Sequence, residues 1–172
     1  DFLKNLENEI PTEYYKRAEV FGWSNYDVMS KVKDLLNYVE DRRIDYFVFT
    51  NSPGYKGYYH SLYDKYFHAK VIDKALTSEE YTSLDYDSYI FRIINLTNKN
   101  SDLSALPGLV DIRKVIFSNV KNLQSTEEAF SIALKVFDII LNNIDVNIEN
   151  PSDGQDGDEN SENGENVEGG EG

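Results

Sequence analysis

Apolar residues recur every three or four positions along much of the chain, and this spacing constrains the fold more than any other feature. In residues 28–44 they are Val28, Met29, Val32, Leu35, Leu36, Val39 and Ile44. This spacing places the side chains on one side of an α-helix, because the helix has about 3.6 residues per turn. Ser24 or Asp27 is positioned to cap it. The pattern predicts an amphipathic helix with one buried stripe.

Two later segments carry similar signals. Residues 58–70 are rich in aromatic side chains and predict a second helix. Asp85 or Asp87 is positioned to start another, with Ile93 and Ile94 among its inward-facing residues. Both segments therefore add to a helical domain.

Two capping boxes mark further helix starts. Thr77 to Glu80 and Ser125 to Glu128 each place a hydroxyl residue three positions before a glutamate. The second opens a long amphipathic helix with apolar positions Phe130, Leu134, Phe137, Ile140 and Leu141. With a helix over about residues 110–120, the prediction is an all-α domain of about six helices. For residues 46–49 the sequence leaves two alternatives, a short strand or the end of a helix.

The composition changes sharply at Pro151. Residues 151–172 hold eight of the 31 acidic residues and none of the 17 basic ones. Such a stretch has too little apolar surface to offset its ordering entropy, so it predicts a disordered acidic linker. The chain starts with Asp1 and ends within this tract, so we expect a piece of a longer protein. The predicted domains are 1–150, a helical domain truncated at its N-terminal side, and 151–172, the linker.

Charge and composition narrow the function classes. Without the acidic tract, 23 acidic and 17 basic residues leave residues 1–150 with a net charge of −6. A nucleic-acid partner is not expected, because phosphate contacts need a basic surface. No segment reads as a signal peptide or membrane span, so no membrane partner is expected either. The chain has no cysteine, which fits a reducing compartment such as the cytoplasm.

Few residues are candidates for chemistry. The chain has no H-E-x-x-H, no Gly-rich phosphate loop and no nucleophile elbow. Its two histidines, His60 and His68, are eight residues apart on one predicted helix, about 12 Å by helical rise. That distance is too long for both to bind one metal ion. We predict no catalytic and no cofactor-binding residue in this chain.

The segment from Asn37 to Asp45 has two interpretations. Either Glu40 and Asp41 lie on a solvated helix surface and pair with Arg43 and Arg42, or Glu40 is a metal ligand. In the second case Asn37 and Asp41 are its supporting neighbours.

Residues 52–60 combine a proline, two glycines and several tyrosines. Tyr55, Tyr58 and Tyr59 either form the edge of the core or offer an interaction surface beside Lys56.

Three segments together resemble a known family. Residues 35–45 resemble the N-x-x-E-D-x-R-I helix of bacterial and phage proteins that are similar to the T subunit of cobaltochelatase. Residues 53–64 (Pro-Gly-Tyr-Lys-Gly-Tyr-Tyr, then Leu-Tyr-Asp) and residues 94–109 (Ile-Asn-Leu-Thr-Asn, then Leu-Pro-Gly-Leu) are similar to its phage branch. In that family a metallopeptidase-like helical region is joined by an acidic linker to a von Willebrand factor A domain. The resemblance covers nearly all of residues 25–172.

The resemblance implies a metal role for one residue. In peptidase-like members an H-E-x-x-H helix precedes the E-D helix, whose glutamate is the third zinc ligand, and this role maps onto Glu40. The H-E-x-x-H is absent here. The resemblance therefore implies a fragment of a zinc metallopeptidase-like domain, tethered by the acidic linker to a von Willebrand factor A domain, with Zn²⁺ only in the full-length protein and no activity from this piece alone. The alternative is a non-catalytic adaptor that binds a protein partner in a phage assembly or with an AAA+ ATPase.

Overall fold

The computed structural model of the chain describes residues 2–66 and 69–149, and the side chains of residues 59, 60, 62–66 and 69 are not among those described. These ranges fold into nine α-helices and three short 3-10 helices, with no strand among them. The all-α prediction is thus confirmed, with more helices than the six expected. The acidic linker predicted over 151–172 lies outside the described residues.

The helices follow one another with short connections. They are α1 (Leu6–Glu9), α2 (Thr12–Ala18), α3 (Asn25–Asn51), α4 (Pro53–Tyr66), α5 (Ala69–Thr77), α6 (Tyr86–Ile94), α7 (Leu109–Asn119), α8 (Thr126–Asn143) and α9 (Val146–Glu149). The 3-10 helices are Phe2–Asn5, Glu19–Phe21 and Val120–Asn122.

The core is built on the contact between α3 and α8, the two longest helices. The apolar stripe of α3 is buried as far as Val39 except for Met29, which is partly buried, and Phe137 and Ile140 of α8 are fully buried. α7 packs on α8, α6 packs on α7, and α2 contacts both α3 and α8. Each large apolar side chain buried in this way stabilises the fold by about 1.5–3 kcal/mol.

Aromatic side chains join the N-terminal segment to this core. The Trp23 ring stacks on Phe137 at a centroid distance of 6.3 Å and meets the Tyr86 ring edge-on at 5.9 Å. Lys31 Nζ lies 4.6 Å from the Trp23 centroid and 4.9 Å from that of Tyr86, within the range of cation–π attraction. Residues 2–21, for which the sequence predicted no helix, contact the same helix α8 through the ring pairs Phe2–Phe130 and Tyr14–Phe137.

Two predicted helix starts are confirmed. Ser24 caps α3: its hydroxyl accepts a hydrogen bond from the Asp27 N–H, and the Asp27 carboxylate accepts one from the Ser24 N–H. Ser125 caps α8 by accepting from the Glu128 N–H. The ambiguity at residues 46–49 is also resolved, because α3 continues through them to Asn51.

The prediction that Thr77 opens a helix is wrong, because α5 ends there. Arg92, only 2% exposed, donates hydrogen bonds to the carbonyl oxygens of Leu76 (2.9 Å), Glu80 (2.7 Å) and Tyr81 (3.1 Å). A guanidinium that binds these carbonyls fixes the end of α5 and the loop after it, so the capping-box sequence cannot start a new helix.

Two apolar residues predicted to be inward-facing are not. Ile44 is 51% exposed and Ile94 is 53% exposed. Ile44 lies where α3 extends beyond the core, whereas Ile94 lies on the outer face of α6 between the buried Ile93 and Asn95.

Gly108 fixes the approach of α7 to α8. It caps α7 with a left-handed φ of 84°, a conformation that glycine adopts without steric cost. A Cβ at this position would lie 2.9 Å from both Asn143 Nδ2 and Ile139 Cγ2. The chain therefore requires glycine here for its backbone angle and for its size.

Candidate functional site

The candidate site lies on residues 40–51 of α3, which we call the distal segment. None of these residues is buried, whereas residues 28–39 supply the core stripe. α4 packs against α3 and α5 packs against α4, so the distal segment and α4 extend the fold beyond its core, and α5 returns to it with the buried Ala75 and Leu76. All the residues predicted for a site lie on or beside this part.

Glu40, the predicted metal ligand, is held by a local ion pair. Its Oε2 accepts from Arg43 Nη2 at 2.7 Å and its Oε1 accepts from Arg43 Nε at 3.2 Å. The side chains of Glu40 and Arg43 are 19% and 28% exposed, and the carboxylate raises the pKa of Arg43 through the hydrogen bond. Any metal ion at Glu40 would have to compete with this bidentate pair.

The other two residues predicted to lie near a metal ion are Asn37 and Asp41. Both are exposed, and neither forms a side-chain hydrogen bond or ion pair within the described part of the chain. Across that part, no three histidine or acidic side chains converge on a possible metal position. His68 and the side chain of His60 lie outside the described residues.

A second cluster on α3 was not found from the sequence. Arg42 Nη2 pairs with Asp45 Oδ2 at 2.7 Å, and its guanidinium lies 5.3 Å from the Tyr38 ring centroid. Tyr38 is buried, and this burial raises its pKa to about 12, although the charges of Arg42 and Arg113 act in the opposite direction. The Tyr38 hydroxyl and Arg42 Nε are buried without a hydrogen-bond partner within the described residues. The members of this cluster are one turn apart on α3, so their contact follows from helix geometry. Their burial depends on how the other helices pack around them.

The predicted tyrosine surface is exposed where the structure describes it. Tyr55 is 47% exposed and Tyr58 is 61% exposed. The Tyr55 ring lies 6.3 Å from the rings of both Phe49 and Tyr58. We call these three residues the aromatic surface. The side chain of Tyr59, predicted to belong to it, lies outside the described residues.

A groove of about 640 Å³ adjoins the aromatic surface. It lies between the distal segment, the turn after α6 (residues 94–99) and the end of α7 with the 3-10 helix that follows. Four cationic side chains line it: Arg42, Lys56, Lys99 and Lys121. We call it the lysine groove. No sequence pattern indicates this groove, because its lysines are far apart along the chain.

Neither a protein-family profile, nor a curated protein, nor a solved structure matches this chain. The resemblance to the cobaltochelatase-like proteins therefore stays a prediction. Among the described helices none has the length and apolar character needed to cross a lipid bilayer.

Proposed function

We propose that this domain is a non-catalytic protein-interaction module that binds its partner through the aromatic surface. The observation that carries the proposal is the exposure of Tyr55 and Tyr58 beside Phe49. Tyrosine offers a large apolar ring together with a hydroxyl, and aromatic residues are enriched in the central contacts of protein interfaces. An AAA+ ATPase is the partner class that the sequence resemblance suggests.

The position of this surface supports the same proposal. It lies at the junction of α3 and α4, outside the core that α3 and α8 build. A partner that covers it would bury aromatic side chains without disturbing that core. The Glu40–Arg43 pair supports the adaptor interpretation further, because it satisfies the Glu40 carboxylate without a metal.

The test replaces Tyr55 and Tyr58 with alanine and measures partner binding by the full chain. A hot-spot side chain contributes about 2 kcal/mol or more, which is about 30-fold in affinity, so we expect the loss of both to lower partner affinity by about 30-fold to 10³-fold. The partner is first isolated by cross-linking in the source cells, and its affinity is then measured with purified proteins.

Tyr26→Ala is the matched control. Tyr26 is 76% exposed, but it lies in the first turn of α3, far along that helix from the aromatic surface. Its removal should leave affinity within about two-fold of the parent protein, since isolated surface residues contribute little. Equal losses for the control and the double variant, with helix content unchanged, would contradict the proposed surface.

A further inference from the structure

The lysine groove carries uncompensated positive charge. Of its four cations, Arg42 is paired with Asp45. The second acidic side chain of the groove, Asp73, accepts a hydrogen bond from Asn98 at 3.2 Å. Lys56, Lys99 and Lys121 are exposed and form no ion pair or hydrogen bond within the described part of the chain. The groove therefore suits a ligand that brings carboxylates.

The groove also suits a polypeptide. Thr97 supplies a hydroxyl group on one side, and Tyr46 and Phe49 supply aromatic rings on the other. A hydroxyl both donates and accepts, so it can bind the N–H and C=O groups of an extended chain. The volume of about 640 Å³ is within the range of sites that hold a short peptide segment or a small molecule.

We infer that the lysine groove is a binding site for an acidic polypeptide segment, and that its occupant is residues 151–172 of the same chain. That segment has eight carboxylate side chains and no lysine or arginine. Its carboxylates are negatively charged partners for the three lysines that form no ion pair. The groove shares Phe49 with the aromatic surface, but the inference rests on the three lysines and goes beyond the proposed function.

The attachment point of the segment allows the contact. α9 ends at Glu149, whose carboxylate accepts a hydrogen bond from the Tyr86 N–H at the start of α6. The groove contains Ile94, at the other end of α6, about 12 Å away by helical rise. An extended chain covers about 3.3 Å per residue, so a few residues after Pro151 reach the groove. The short connection gives an effective concentration of about millimolar, which favours this segment over the same segment of a second molecule.

The binding is electrostatic and therefore sensitive to salt. Exposed lysine–carboxylate pairs are individually weak, and added salt screens them. Several such pairs act together here, and the segment does not need to fold in order to make them.

The experiment uses a paramagnetic label on the full chain. Because the chain has no cysteine, Ser161→Cys provides a unique attachment site for a nitroxide. At low ionic strength we expect NMR amide signals of residues 94–99 and 117–121 to lose on the order of half their intensity. At about 0.5 M salt the intensity should recover, since the screening length shortens to a few ångströms.

Two charge-reversal variants make the test specific to the groove. The groove variant combines Lys56→Glu, Lys99→Glu and Lys121→Glu. The control variant makes the same change of charge at three exposed lysines that do not line the groove: Lys4, Lys16 and Lys135. None of the six is in the core, so both variants should keep the dispersed amide spectrum of the parent.

Loss of the broadening in the groove variant and its retention in the control variant would support the inference. Equal broadening in the parent and the groove variant would overturn it, as would equal loss in both variants. A mixture of spin-labelled and isotope-labelled chains identifies the occupant. If the broadening arises between molecules in that mixture, the occupant is a second copy and the inference is also overturned.

Discussion

Replacement of Arg92 by methionine should destabilise the fold more than any substitution of a surface charge. Methionine keeps much of the apolar stem but leaves the carbonyls of Leu76, Glu80 and Tyr81 without their donor. Burial lowers the pKa of Arg92, so the native fold already bears a cost for holding this charge out of water. That cost is relieved in the variant and offsets part of the loss.

The expected magnitude follows from the contacts. A hydrogen bond to a charged group contributes about 1.5–3 kcal/mol, so three would amount to about 5–9 kcal/mol if they were additive. Relief of the buried charge, and access of water to the loop at residues 77–84, reduce this sum. We expect a net loss of about 3 kcal/mol in the free energy of unfolding, which corresponds to a Tm about 6–12 °C lower.

The assay is urea unfolding followed by circular dichroism, with Arg17→Met as the matched control. Arg17 also makes two hydrogen bonds, to Asp138 at 2.6 Å and to Asn142 at 2.8 Å, but it is one-third exposed. Because surface pairs contribute about 0–1 kcal/mol, the control should lose 1 kcal/mol or less. If both variants lost the same small amount at equal m-values, the buried guanidinium would not stabilise the loop and our reasoning would fail.

Two further predictions concern Gly108 and Glu40. Gly108→Ala forces a left-handed φ and two contacts of 2.9 Å, so thermal unfolding should show a loss of about 2–3 kcal/mol. Gly54→Ala is the control, because no atom lies within 4 Å of the added Cβ, and it should be neutral or stabilise the helix by up to about 1 kcal/mol. A loss of stability in Gly54→Ala equal to that in Gly108→Ala would contradict the steric argument. Glu40→Gln weakens a partly exposed pair with Arg43, so it should cost less than about 1 kcal/mol and leave the zinc content measured by mass spectrometry unchanged. Lower zinc content in that variant would instead support Glu40 as a metal ligand.

The helices that build the core could be predicted because each has a local signal. The stripe of α3 up to Val39 and the apolar face of α8 follow helical spacing, and Ser24 and Ser125 mark their starts. The early helices α1 and α2 have four and seven residues, too short for a periodic pattern to distinguish them from a loop.

The errors came from interactions between residues that are distant in sequence. The capping box at Thr77 obeys the local rule, but Arg92 binds the loop from α6. Lys56, Lys99 and Lys121 share a groove although no spacing connects them. The Glu40–Arg43 pair, by contrast, is three residues apart on one helix and was among the alternatives that the sequence offered.

The division of α3 into two parts has a consequence for its dynamics. Residues 28–39 hold the core stripe, whereas none of residues 40–51 is buried, although the helix is continuous. Amide hydrogens in the first part should exchange with solvent only when the whole domain unfolds. Those in the second part need only a local opening, which has a lower free energy. A single uninterrupted helix would then contain a boundary of cooperativity just after Val39, and its far end could unravel and re-form while the core stays folded.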